Sequence, residues 1–173
     1  MIIGLVEHDG VRPDRTSLEM LTVGRQLADQ LGVPLEAVLF GPGARSAAGQ
    51  LAAHGVSTAH VVEHDRLDEY APAAWAQSLV QLAGVHAPDI VMAPGSDRGN
   101  EVLAHLGAIL GLAMAANCTE IQPGDPFLVT RQRWGGSLLE DARLDGSMKL
   151  LTVAEHAAIP EEAAASAPIR IES

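Results

Sequence analysis

The stretch Asp89-Ile90-Val91-Met92-Ala93-Pro94-Gly95-Ser96-Asp97-Arg98-Gly99-Asn100-Glu101 decides the fold class. Ile90 to Ala93 is a short apolar run, partly β-branched, and Pro94-Gly95 ends it, as in a buried strand entering a turn. A helical pattern follows in Val102, Leu103, Leu106, Ile109 and Leu110, closed by Gly111. Gly99 and Asn100 are the expected N-cap residues, and Glu101 in the first turn suits the helix dipole. In an open α/β sheet such a loop lies at the carboxyl edge of the strands, where ligands and partners bind.

The same unit recurs upstream. Residues 2–6 read as a first strand, ended by Glu7-His8-Asp9-Gly10. Thr16-Ser17-Leu18-Glu19 fits a capping box, with Thr16 as N-cap and Glu19 reaching back to it. That helix runs to Leu31, where Gly32 stops it and Pro34 forbids its continuation. Residues 35–40 form the second strand, and Gly41-Pro42-Gly43 leads into a helix over 44–54, stopped by Gly55. Residues 58–62 form the third strand, ended by Glu63-His64-Asp65. A helix over 72–86, with Pro72 in its first turn, leads back to the strand at Ile90. Four strand–helix cycles in about 110 residues, with apolar strands that do not alternate, predict a mostly parallel sheet covered on both faces.

The pattern then changes. Residues 127–134 are strand-like, Gly135-Gly136 is a two-residue hairpin signal, and 137–144 is a second strand. Asp145-Gly146 is another hairpin signal before a strand over 149–153. The carboxyl third is therefore expected to be an antiparallel meander added to the parallel sheet. Residues 1–156 form the expected domain, and 157–173, rich in Ala, Glu, Pro and Ser, read as a linker or tail.

Composition narrows the function classes. The chain has 173 residues, enough for one domain with a substantial core. A net charge of −11 and 3% aromatic residues argue against a nucleic-acid face. One cysteine, Cys118, excludes an intrachain disulfide and a Cys-rich zinc site; its apolar context reads as a buried structural thiol. Met1 runs straight into a strand-like segment, without a basic n-region or a membrane-length apolar run, so a cytoplasmic protein is expected.

Few residues announce chemistry. Glu-His-Asp occurs at 7–9 and again at 63–65, and Glu-His recurs at 155–156. With strand order 3-2-1, however, the first two lie about 10 Å apart, so they read as polar strand ends and no metal set is assigned. The loops at Gly41-Pro42-Gly43 and Gly95 to Asn100 could cradle a phosphate with their N–H groups. Neither carries a P-loop or dinucleotide fingerprint, Pro42 removes one donor, and tight turns are the better account of their glycines. There is no nucleophile elbow, paired catalytic acid or HExxH, so no catalytic residue is named. Arg131 and Arg133 share a strand face beside Trp134. They form either a solvated face or a receiver for a partner's carboxylate or phosphate.

Taken in order, several segments resemble the amino-terminal domain of the alpha subunit of electron transfer flavoproteins, the FixB family. The opening strand over Met1 to His8 is similar, as is Pro94 to Gly111, with its Leu-Gly-Leu-Ala helix end. Asn117-Cys118-Thr119-Glu120-Ile121 resembles a family segment of Asp-Val-Thr-Glu-Ile type. Arg131 to Val153 resembles the family's Arg-containing hairpin and the Lys-x-Leu-Thr-Val strand after it. Ala163-Ala164-Ala165-Ser166-Ala167-Pro168 resembles its interdomain linker.

The resemblance implies a three-layer Rossmann-like sheet of adenine nucleotide alpha hydrolase-like type. It also implies a non-catalytic scaffold that supports electron transfer between dehydrogenases and a redox acceptor. Implied partners are a beta-like subunit and a flavin-binding domain, with a homodimer also open; neither nucleic acid nor membrane is expected. Family members carry FAD on a second domain whose motifs have no counterpart here, so this chain alone is not expected to bind it. The related beta subunit binds AMP on a similar fold. A nucleotide held here in the same way would be lined by Val6, Glu7, Gly41, Gly43, Glu63, Ser96, Arg98, Gly99 and Asn100. The partner-facing set would be Arg131, Arg133, Trp134, Gly135 and Gly136. The alternative class is a small adenine-nucleotide-binding protein of universal-stress type.

Overall fold

A computed structural model describes residues 1–164 and 166–173; Ala165, inside the expected linker, lies outside the described residues. The strands are β1 (Ile2–Leu5), β2 (Leu35–Phe40), β3 (Thr58–Val62), β4 (Ile90–Pro94), β5 (Met114–Gln122), β6 (Leu128–Arg133), β7 (Leu138–Arg143), β8 (Lys149–Val153) and β9 (Arg170–Glu172). The α-helices are α1 (Arg15–Leu31), α2 (Ala44–Ala48), α3 (Pro72–His86) and α4 (Asp97–Leu110). One nine-stranded sheet runs in the order β7-β6-β5-β8-β4-β1-β2-β3-β9. The 3-2-1 order supposed for the strand-end spacing is present, and so is the expected mostly parallel three-layer class.

Alternate residues of β1 explain the layers. Ile2 points into a core cluster with Met20, Leu21 and Leu27 of α1 and Ala44 of α2. Ile3 and Leu5 point the other way, among Trp75 and Leu79 of α3 and Val102 and Leu103 of α4. A strand buried on both faces needs apolar residues at every position, which is why its sequence does not alternate.

Several expectations change. Thr16 and Glu19 do not form a capping box: α1 starts two residues earlier, with Asp14 at the N-cap and no side-chain cap. Glu19 is instead buried and turned toward the chain that follows β8. The expected helix over 44–54 breaks after one turn and resumes as a 3-10 turn, Leu51–His54. Gly49, a weak helix former between two short apolar clusters, permits the break. In α4 the N-cap is Ser96, not Gly99 or Asn100; its Oγ accepts the Gly99 N–H at 2.9 Å.

The carboxyl third differs most. Strands β5, β6 and β7 form the antiparallel ribbon, but β8 is not its next member. It slots between β4 and β5, parallel to both. Leu150, Leu151 and Val153 are all buried, and an edge hairpin would leave one face of that run in water. The β6–β7 turn is also longer than the two residues expected, because Arg133↔Leu138 is the last pair. The tail is no free linker either. Glu161 N–H donates to Thr22 Oγ1 at 3.0 Å, Arg25 donates to the Glu162 carbonyl at 3.0 Å, and β9 pairs with β3 in parallel. Among the described residues, no helix is long and apolar enough to cross a membrane.

Candidate functional site

Two concave surfaces lie at the carboxyl ends of the strands. The first is a cleft of about 480 Å³ between the loops after β1 and β2, walled by Val6 to Gly10, Phe40, Gly41, Pro42, Asp68, Tyr70, Trp75 and Arg98. Gly43 supports its rim: φ is +83°, and a Cβ there would lie 2.0 Å from the Gly10 carbonyl oxygen. The two loops touch backbone to backbone, which only glycine permits.

The polar groups of this cleft are largely engaged with one another. Ser96 Oγ donates to Glu7 Oε1 and accepts the Gly99 N–H, so the start of α4 is capped from within. Burial raises the Glu7 carboxyl above its ordinary range; its bond to Ser96 opposes the rise, and Asp14 adds to it. Gly10 N–H donates to His8 Nδ1 at 3.1 Å, which leaves His8 Nε2 to donate to the Phe40 carbonyl at 2.9 Å. The Asp9 carboxylate accepts the N–H groups of Val11 and Arg12 at 2.8 and 2.7 Å; these bonds, that of Arg12 first, hold it below its usual range. Arg98 lies 4.9 Å from the centre of the Tyr70 ring, and Tyr70 donates to Glu101 Oε2 at 2.8 Å. Trp75 stacks on Phe40 at 4.6 Å, with a buried indole N–H that has no partner among the described residues.

The expected nucleotide lining is therefore only partly assembled. Val6, Glu7, Gly41 and Arg98 wall the cleft, and Ser96 stands behind Glu7. Glu63 is exposed and faces Arg45 at 3.9 Å, outside the cleft. Gly99 is buried with its N–H used, and a Cβ there would meet the Pro94 oxygen at 2.1 Å. Asn100 points elsewhere: it donates to the Gly95 carbonyl at 3.1 Å and accepts from Thr152 Oγ1 at 2.7 Å. It braces the bulge in β5 at Asn117, which has φ +56°. His8, Tyr70 and Trp75 join the cleft by topology. Tyr70 sits just before α3 and Trp75 in its first turn, with no spacing that marks them.

The second concavity, about 340 Å³, lies under the β6–β7 turn between Gly95, Asn117, Gln132 to Gly136 and Glu155. At Gly95 a Cβ would sit 2.7 Å from both Asn117 Oδ1 and the Val153 oxygen, so the loop after β4 closes directly onto β5 and β8. Trp134, Gly135 and Gly136 all have positive φ, at 53°, 62° and 86°. For a bulky residue such as Trp134 this conformation is strained. The ring is 82% exposed, and Leu138 and Leu139 beyond it are 55% and 68% exposed. β7 is also one of the sheet's two edge strands among the described residues.

The two arginines of this hairpin behave differently. Arg131 is largely covered and donates to Glu140 Oε2 at 2.8 Å. Arg133, half exposed, faces the same carboxylate at 3.5 Å. Arg133, Trp134, Gly135 and Gly136 form the exposed tip, with Arg131 as their internal support. Cys118 lies beneath the hairpin, and burial pushes its thiol up to about 12, which keeps it protonated and unreactive.

The family model for the electron transfer flavoprotein domain matches residues 2–173. The chain is similar to the FixB protein of Rhizobium meliloti, 31% identical over 140 residues, or 78% of this chain and 39% of that protein. It is 33% identical to FixB of Clostridium saccharobutylicum over 129 residues, 72% of this chain and 38% of that one. The electron transfer flavoprotein subunit alpha of Thermoanaerobacterium thermosaccharolyticum is 27% identical over 125 residues, 71% and 38% of the two chains. The matched region thus spans little more than a third of these relatives' length.

Proposed function

This chain belongs to the electron transfer flavoprotein family, and from that premise we propose that it is a non-catalytic docking scaffold. In this reading it pairs with a beta-like subunit and a flavin-binding domain, and FAD is carried there rather than by these residues. Electrons pass from dehydrogenases to a redox acceptor through that assembly. The observation that supports the reading best is the hairpin tip. An edge strand with Trp134, Leu138 and Leu139 in water presents the apolar, aromatic surface typical of an interface centre. The strand-end cleft supports the second part. Its helix N-terminus is already capped by Ser96 with the Glu7 carboxylate behind it, which disfavours a second anion there.

Co-expression with a beta-like subunit and a flavin domain tests the proposal. The expected result is a complex that co-elutes and carries flavin absorbance, with no flavin retained by the chain alone. A chain that elutes alone, or that binds FAD stoichiometrically without a partner, overturns it.

A second reading has a specific observation in its favour. Arg98 lines the cleft beside the Trp75 side chain, a cation suited to the phosphate of a nucleoside monophosphate. Here AMP or ATP at millimolar concentration raises Tm, and Arg98→Ala removes the rise; no shift discards this reading.

A further inference from the structure

Away from both strand-end concavities, Glu36 of β2, His60 of β3 and His86 at the end of α3 bring one ligand atom each to within 4.8 Å of one another. Glu36 and His60 are buried, and His86 is partly open to solvent. We propose that these three side chains form a binding site for a divalent transition-metal ion, with Zn²⁺ the best match. Two imidazoles and one carboxylate are a donor set that Zn²⁺ takes in three-ligand sites, with a water in the fourth position. The inference is independent of the docking role proposed above.

The fold produces the convergence. β2 and β3 pair with Glu36 opposite Thr58 and Val38 opposite His60. Glu36, Val38 and His60 therefore share one face of the sheet, the face that carries Val38 into the core cluster beside Trp75 and Leu79 of α3. The last residue of α3 lands over that face, its imidazole 4.8 Å from the His60 ring and tilted by 58°. His60 Nε2 and Glu36 Oε2 now lie 2.6 Å apart, a hydrogen bond. Two ligands about 2 Å from a shared tetrahedral ion sit roughly 3.3 Å from each other. The close pair must open by roughly 0.7 Å and the widest separation must close by more, through torsions of Glu36 and His86.

The outer shell is also in place. Glu172 of β9 is the pairing neighbour of His60, and its Oε2 lies 3.8 Å from His60 Nδ1. With Nε2 on the metal, Nδ1–H points at that carboxylate, the arrangement that orients metal-bound histidines. Metal binding then also holds β9 on the sheet edge. Glu172 is itself steadied by Arg170 at 3.6 Å.

The bland competitor is a buried Glu–His hydrogen bond with a third residue nearby. Calorimetric titration of the tag-free 173-residue chain with ZnCl₂ separates the two, with Co²⁺ absorbance as a second probe. The proposal expects one equivalent of Zn²⁺ and visible Co²⁺ bands of low coordination number. At Zn²⁺ 100-fold above Kd, the folded-to-unfolded ratio rises about 100-fold. His86→Gln, at a helix end, should keep its circular dichroism and lose the stoichiometric event; Glu36→Gln should do the same. Glu172→Gln should weaken binding by roughly 10-fold. Absence of a stoichiometric event, or wild-type binding by both His86→Gln and Glu36→Gln, overturns the proposal.

Discussion

The strand-end cleft and the β6–β7 hairpin sit on the same edge of one sheet yet are finished in opposite ways. In the cleft, Ser96, Glu7, His8 and Asp9 satisfy one another and the backbone around them. At the hairpin, Trp134 is held in a strained conformation with its ring in water, beside two exposed leucines. A surface that has closed its own hydrogen bonds has little left to offer an anion. An apolar edge that has not been covered gains most from a partner. Glycines at strand ends, which suggest a ligand cradle in sequence, here allow backbones to touch.

The largest test of this contrast is Gly99→Ala. A Cβ at that position meets the Pro94 oxygen at 2.1 Å, so the first turn of α4 must shift. A loss of about 3 kcal/mol is expected by urea denaturation. Wild-type stability would show that the loop is loose and could still accept a ligand.

Glu19→Gln comes next, at about 2 kcal/mol near neutral pH, because a buried acceptor loses its charge-assisted bonds. Burial raises this carboxyl, but the His156 N–H at 2.8 Å and Arg15 at 3.0 Å outweigh it and leave it below 4.5. Its contribution is thus present above about pH 4.5 and is lost as pH falls through the depressed folded value. The variant's stability should lack that acid-side loss. An identical pH profile would show that Glu19 does not fasten the segment after β8 to α1.

Trp134→Ser addresses the other side of the comparison. Folding stability should change by less than about 0.5 kcal/mol, since the ring is exposed. Affinity for the partner complex should fall by about 2 kcal/mol, roughly 30-fold, as for an aromatic interface anchor. Unchanged affinity in surface plasmon resonance would remove the hairpin as the docking surface.

Glu7→Gln has the smallest effect and the opposite pH sign to Glu19. The native state holds the Glu7 proton more tightly than the unfolded chain, with burial the leading cause. Stability therefore declines as pH rises from about 4.5 through the raised folded value. Removing the charge should flatten that decline, with a change under about 1 kcal/mol at neutral pH. A steeper decline in the variant would mean that the cleft prefers the carboxylate charged.

Legibility in the sequence followed locality. The limits of β2, β3 and α3 are set by neighbours in the chain, namely Pro34, Gly41, the polar run after Val62, and Pro72, and they match the expectation. The capping reading of Glu19 failed because its partner, His156, is 137 positions away. Glu36, His60 and His86 carry no common motif, since their spacing reflects strand pairing and a helix length. The place of β8 was hidden for the same reason: Asp145-Gly146 is a good local turn signal, and only the slot between β4 and β5 rewards an all-apolar strand.

The sequence by itself determined the parallel α/β class, the element boundaries set by Gly and Pro, and the family resemblance. Those features depend on side-chain period and backbone preference, which act over a few residues. Tertiary structure alone decided that Asn100 braces a bulge, that Arg131 is internal while Trp134 is free, and that the tail returns as β9. The loop from Pro94 to Asn100 shows the division. Its composition announces a strand-to-helix turn, but whether its N–H groups meet a phosphate or the protein's own Ser96 depends on which distant strands close around it.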